Sequence, residues 1–141
     1  LVGWAAVRDD VTWAPIALFV VMFLWTPPHF WALAIRYADD YRAADVPMLP
    51  AVASLEVTVR KMIAYTAVMV AGTLVLWPVG ELGPVYGVSA VVLGALFLWG
   101  TVDLGRNPTP QRSMRVFAYS ITYVTLLFLA LTVDVLVEHG L

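Results

Sequence analysis

The sequence predicts an all-α, multi-pass transmembrane helical bundle, and three observations predict it. The 141 residues are 62% hydrophobic and only 13% charged, where a soluble domain is about half apolar and about a quarter charged. Mean hydropathy is +0.85. The apolar residues also fall in four blocks, each close to the roughly 20 residues a helix needs to cross the hydrocarbon core. In lipid, backbone N–H and C=O groups must be satisfied within the segment, so blocks of this length read as helices. The net charge of −2 supplies no basic face and argues against a nucleic-acid partner. No cysteine is present, which excludes disulfides and thiolate metal sites.

The first block, Trp13–Ile35, contains Trp25-Thr26-Pro27-Pro28-His29-Phe30-Trp31. Pro27 and Pro28 remove two backbone donors and crowd the carbonyls of Phe23 and Leu24, so a kink is expected there. A polar loop over residues 36–60 follows, interrupted by Val46-Pro47-Met48-Leu49-Pro50. Ser54 is a candidate N-cap for a helix running into the second span, Met62–Val79. The Pro/Gly turn from Trp77 to Pro84 separates it from the third span, Val85–Leu104. Asn107-Pro108-Thr109-Pro110 then breaks the chain before the fourth, Val116–Val137. The chain starts with Leu1 rather than Met, and Leu1–Val7 reads as the tail of a preceding span, so the sequence is expected to belong to a longer protein. Seven of the eight Lys and Arg lie between the first and second or the third and fourth spans. The positive-inside rule makes that side cytoplasmic and puts Glu138-His139-Gly140-Leu141 outside.

Two groups of residues are candidates for chemistry. An ionisable residue inside a membrane span, here His29, is a functional-site hypothesis by default; the alternative is a neutral histidine bonded to a neighbouring helix. Trp25, His29, Ala32 and Arg36 follow one another at steps of three and four, one helix face. If the helix continues another turn, Asp39 or Asp40 joins that face. The patch Arg36-Tyr37-Ala38-Asp39-Asp40-Tyr41-Arg42 is dense in charge for this chain. It is either a solvated interfacial ion network or a site for Mg²⁺ and phosphate, since Mg²⁺ takes carboxylate oxygens and arginine matches phosphate with paired donors. Asp103 and Arg106 are expected to pair across a helix turn. Tyr119, Ser120 and Tyr123 are expected to bond between helices.

The run Leu24-Trp25-Thr26-Pro27-Pro28-His29-Phe30-Trp31-Ala32-Leu33-Ala34, then Asp39-Asp40-Tyr41, then Val46-Pro47-Met48-Leu49-Pro50, resembles the haem O synthases (protohaem IX farnesyltransferases), within the UbiA-type intramembrane prenyltransferases. Arg115 to Tyr123 and Leu127 to Asp134 resemble the last span of that family, and Gly3-Trp4-Ala5-Ala6 the end of the span before the first block. The resemblance implies about nine helices around a cavity, of which this chain matches roughly the last four, as the C-terminal portion of one transmembrane domain. It implies transfer of a farnesyl group from farnesyl diphosphate to a vinyl group of haem B, in a bacterial inner membrane. Two acidic motifs would hold Mg²⁺ and the diphosphate, the first on an early helix absent here, the second on the loop Arg36–Pro50. By resemblance Asp40, then Asp39, are metal ligands; Arg36 and Arg42 hold phosphate oxygens; and His29, with Trp25 and Tyr37, contacts substrate. The spacing departs from the superfamily: Asp40 is followed by Asp45 with four residues between, not three, and position 45 is commonly glycine in the haem branch. Haem A synthase or oxidase assembly factors are implied as partners. Two alternatives stand: a UbiA-type enzyme acting on a quinone or chlorophyll-like acceptor, and a non-catalytic membrane bundle or transporter segment. The chain alone is expected to be inactive.

Overall fold

The computed structural model describes residues 1–138 and 140, and these form seven helices with no strand among them. They are α1 (Val2–Arg8), α2 (Trp13–Arg36), α3 (Ala38–Ala43), α4 (Leu49–Val52), α5 (Leu55–Val79), α6 (Pro84–Arg106) and α7 (Pro110–Glu138). Four of them, α2, α5, α6 and α7, are long and apolar enough to cross a membrane. The predicted orientation of the C-terminus falls partly on residues 139 and 141, which lie outside the described residues.

The four long helices pack as a ring in which α2 meets α5, α5 meets α6, α6 meets α7 and α7 returns to α2. Each turns one stripe inward at helical spacing. Thr58, Met62, Thr66, Met69, Thr73 and Leu76 form the stripe of α5, and Tyr86, Ala90, Phe97, Thr101 and Leu104 that of α6. The outward faces are equally apolar: Phe19, Phe23, Val75, Val88, Trp99 and Leu129 are exposed. A helix apolar all round belongs in an apolar solvent, and the chain is an integral membrane protein.

Between helices in lipid there is little hydrophobic gain, so close packing and hydrogen bonds carry the association. Both are visible. A Cβ on Gly87 would run into the Trp77 ring, and one on Gly94 would press the Val70 side chain, so glycine lets α5 and α6 approach. Three of the four seams carry an aromatic donor bonded to a backbone carbonyl of the next helix. Trp25 Nε1 donates to the Ser120 carbonyl (3.0 Å), Tyr119 Oη to Leu93 (2.9 Å) and Tyr86 Oη to Thr73 (3.0 Å). A helical carbonyl has a second lone pair free for this. The α2–α5 seam has no such bond among the described residues; its aromatic contact is Trp31 edge-on to Tyr65, centroids 5.4 Å apart.

A further pair of bonds closes the ring at the end opposite the 36–54 loop. Helix α6 starts at Gly83, which has no side chain with which to cap it. Asp134, fully buried on α7, does so from outside: Oδ2 accepts from Gly83 N (2.6 Å) and Oδ1 from Tyr86 N (3.0 Å). These are the two donors that a capping box satisfies with two residues of its own helix; here one carboxylate takes both, at a helix end whose dipole favours negative charge.

The four long helices contain the expected spans and extend each of them. The second begins at Leu55, with Ser54 Oγ accepting from Val57 N (3.2 Å) as its N-cap. The fourth begins at Pro110. The helix α2 is continuous from Trp13 to Arg36 with both prolines inside it. One expectation is corrected: Asp103 pairs with Arg112 of α7 (3.1 Å), not with Arg106 on its own helix. The short 107–109 connection brings the first turn of α7 back beside the last turn of α6, so the cross-helix arginine is within reach.

Two predictions follow from the ring. Asp134→Ala leaves two enclosed N–H groups without acceptors and should cost on the order of 2–4 kcal/mol, with Asp134→Asn, which keeps one acceptor, costing less. Gly87→Leu forces α5 and α6 apart and should cost about 1–3 kcal/mol by overpacking. Thermal unfolding of the detergent-extracted protein measures both; a midpoint equal to wild type in either variant contradicts the corresponding packing argument.

Candidate functional site

The sequence-predicted residues divide into two groups along α2. At about 1.5 Å per residue, the seven steps from His29 to Arg36 separate them by roughly 10 Å. The inner group is built on Trp25 and His29, one turn apart, whose rings stack with centroids 4.3 Å apart. Phe117 of α7 stacks on His29 (4.8 Å), so the imidazole is sandwiched between two aromatic rings. Only its edges remain available. One edge meets α7: His29 Nδ1 lies 2.6 Å from Ser120 Oγ.

The Ser120 hydroxyl also lies 2.6 Å from the Phe117 carbonyl. Two contacts this short each need a proton between the heavy atoms, and the serine has only one. The arrangement that places a proton in both is Nδ1–H donating to Oγ, and Oγ–H donating to the carbonyl. That fixes the neutral tautomer with its lone pair on Nε2. Nε2 has no partner among the described residues, and it is not one of the enclosed, unpartnered atoms. It therefore opens on the surface of the four-helix ring. Ser120 thus fixes both side chains of this group, Trp25 through its carbonyl and His29 through its hydroxyl. Sequence reading placed Ser120 among interhelical hydrogen bonds but did not connect it to His29, and it missed Phe117. The available signal was Phe117 and Ser120 three apart, one aromatic and one small hydroxylic residue on a shared face.

The second group lies where α2 ends. Helix α2 stops at Arg36, and Tyr37, with φ −105° and ψ 24°, turns the chain into the separate helix α3. Asp39 and Asp40 therefore do not extend the Trp25–His29–Arg36 face as a continued helix would. Arg36 lays its guanidinium over the Tyr37 ring, 5.8 Å from the centroid, a cation–π contact, and its N–H donors have no partner among the described residues. Arg42 pairs with Asp39 one turn back on α3 and donates from Nε to the Ala51 carbonyl (3.3 Å), tying α3 to α4. Both partners of the pair are well exposed, so it contributes little to stability. The Asp40 side chain has no hydrogen-bond or ion-pair partner among the described residues. Helices α3 and α4 pack on the ends of α2 and α5, over that edge of the ring.

Asp45 has a backbone role. Its φ is 53°, left-handed. Val46 N bonds the Tyr41 carbonyl (2.9 Å) and Asp45 N bonds the Arg42 carbonyl (3.3 Å), the paired bonds of a Schellman C-terminus with residue 45 in the position that glycine usually fills. Glu81 (φ 51°) ends α5 in the same way, with Leu82 N bonded to the Trp77 carbonyl (3.0 Å).

For a divalent cation the donor set is partial. No group of three or more ligating side chains gathers among the described residues. Asp40 and Asp39 are nevertheless exposed carboxylates, the class of hard oxygen donor that Mg²⁺ takes. Of the two, Asp40 is unpartnered and Asp39 is held by Arg42.

The chain is 52% identical over 140 residues to a protein of Frankia casuarinae named protoheme IX farnesyltransferase, covering 97% of this chain and 48% of the relative. Proteins of the same name from Gloeobacter violaceus (47% identical; 95% of this chain, 44% of the relative) and Streptomyces avermitilis (44% identical; 95% and 46%) are similar to it. The chain thus spans about half the length of the curated relatives it matches. No solved structure matches. Residues 1–132 match the UbiA prenyltransferase family, and with a match over nearly all of its length the chain belongs to the UbiA prenyltransferase family.

Proposed function

We propose that this chain is part of a protohaem IX farnesyltransferase, which joins the farnesyl group of farnesyl diphosphate to a vinyl group of haem B. The observation that carries the reading is identity of 44–52% over 95–97% of the chain to relatives of that name. The run around Trp25–Trp31 and the motif Pro47-Met48-Leu49-Pro50 resemble the haem branch of the family, which supports haem over a quinone-type acceptor.

In this reading the loop end of α2 receives the diphosphate. Asp40, then Asp39, hold Mg²⁺, which supplies charge neutralisation for the departing pyrophosphate. Arg36, whose donors are free, contacts the phosphate oxygens; Arg42 does so by exchanging Asp39 for phosphate. Tyr37 positions Arg36 through the ring contact. The farnesyl C1–O bond breaks and its electron pair leaves with pyrophosphate. The vinyl group then bonds to C1, and water adds to the resulting cation beside the porphyrin and loses a proton, giving the hydroxyethylfarnesyl chain. His29 presents Nε2 to haem, and Trp25 holds the imidazole plane against α7. With all of this on half the length of the relatives, residues 1–141 alone do not catalyse transfer. The loop end faces the cytoplasm of a bacterial inner membrane, a topology supported by the clustering of basic residues. Haem A synthase or oxidase assembly factors are the enzyme's proposed protein contacts.

Full-length protein in membranes, given Mg²⁺, farnesyl diphosphate and haem B, should yield a haem heavier by a hydroxyfarnesyl unit in mass spectrometry. Asp40→Asn should lower the rate by about 10²-fold or more, the scale of losing one electrostatic contact to developing charge. Asp45→Gly should leave it unchanged, because that position serves the backbone. Prenyl transfer to an aromatic acid and none to haem B overturns the acceptor; full activity of Asp40→Asn overturns its metal role. A His29→Phe variant keeps the stacking and loses Nε2. It should weaken haem B binding, followed by the Soret band, and leave farnesyl diphosphate binding intact; unaltered haem affinity removes His29 from the site.

A further inference from the structure

A groove of about 220 Å³ runs between α6 and α7. It lies on the opposite side of the ring from the α3–α4 loop, which packs on α2 and α5. Its walls are apolar, built on Leu96, Gly100 and Val116, and Trp99, 69% exposed, stands at its rim. The inner end is closed by Tyr119, whose hydroxyl is already bonded to the Leu93 carbonyl. No free polar group therefore lies in the depth of the groove. The volume is below the roughly 300 Å³ of a typical small-molecule pocket, and the space suits a length of hydrocarbon chain.

The mouth is of different chemistry. Asp103, Arg112 and Arg115 line it. Asp103 and Arg112 neutralise each other at 3.1 Å, and Arg112 also donates to the Asn107 carbonyl (3.1 Å). Arg115 has no hydrogen bond or ion pair among the described residues. The mouth therefore carries a surplus of one positive charge, on a guanidinium free to make two parallel bonds to phosphate oxygens. It sits at the end of the ring that holds seven of the chain's eight cations, where such a fork sits at headgroup depth.

We propose that the α6–α7 groove is a binding site for one anionic phospholipid, with its phosphodiester on Arg115 and an acyl chain along Leu96, Gly100 and Val116. The charge match is one to one: a phosphodiester carries a single negative charge, and the mouth a single uncompensated positive one. A prenyl diphosphate fits less well. It carries more charge, and Asp103, the one carboxylate lining the groove, is already paired with Arg112. Basic pockets between helices are a recognised mode of lipid-headgroup capture. The inference does not depend on which acceptor the enzyme prenylates.

The test is native mass spectrometry of the full-length protein released from detergent, titrated separately with phosphatidylglycerol and phosphatidylcholine of the same acyl chains. Phosphatidylglycerol should be retained more tightly. Arg115→Gln should weaken its binding about fivefold (~1 kcal/mol) and leave phosphatidylcholine unaffected. Gly100→Leu should block both lipids by filling the groove; a Cβ there meets only Val116 Cγ2, at 3.9 Å, so the ring tolerates the substitution. Lys61→Gln, at the same end of the ring but outside the groove, should bind both as wild type does. Equal retention of the two lipids, an unchanged Arg115→Gln protein, or no lipid retained at all overturns the proposal. Displacement of phosphatidylglycerol by farnesyl diphosphate also overturns it and assigns the groove to the prenyl substrate.

Discussion

The structure depends on the hydrogen bonds that side chains make to the backbone of neighbouring helices. A ring whose outer faces are as apolar as its core gains little from burying one rather than the other. Direction and register must come from elsewhere. Here they come from a few groups with unspent hydrogen-bonding capacity: second lone pairs of helical carbonyls, and the N–H groups at the start of α6. Trp25, Tyr119 and Tyr86 use the first, and Asp134 the second. Each is a large or charged residue inside a span, where placing it unpaired would be costly. The bond that satisfies the residue is also the bond that locates the helix.

The candidate site inherits this arrangement. Ser120 is a single residue of α7, yet its carbonyl and hydroxyl fix two residues of α2. The orientation of the imidazole is set by its stacking between Trp25 and Phe117, and its tautomer by a proton count at Ser120. What reaches the ring surface is then one nitrogen lone pair of defined direction, on a long rigid helix. The loop end is softer. Asp39 and Arg42 form an exposed pair, and Asp40 is unpartnered. A rigid imidazole group thus shares helix α2 with a charged segment that is free to adjust.

Much of the fold was legible because length and hydropathy alone determine a membrane helix. The four spans, the Ser54 cap and the breaks at Gly80–Gly83 and Asn107–Thr109 all follow from local chemistry. What was not legible is what depends on which helices become neighbours. Asp103 had a same-helix arginine at the right spacing, and the structure chose Arg112 across the turn. Asp134 carries no local sign that it caps a helix 48 residues away. The same limit applies to the site. Trp25 and His29 stand out by composition, but their common anchor, Ser120, is an ordinary hydroxyl until α7 is placed beside α2. Asp45 is the reverse case: only its spacing from Asp40 drew notice in the sequence, and the structure gives it a left-handed backbone at the end of α3.

The α2–α5 seam lacks what the other three have. It is extensively packed, but among the described residues no side-chain hydrogen bond crosses it. Dispersion contacts and an edge-on ring pair, Trp31 on Tyr65, fill it, so the register of α2 against α5 is set the long way round, through α7 and α6. The α3–α4 segment bridges the ends of α2 and α5, so the placement of Asp39, Asp40 and Arg42 rests on bonds made on the far side of the ring. A bond lost at Ser120, Tyr119 or Tyr86 is therefore felt at the charged segment as well as at its own seam.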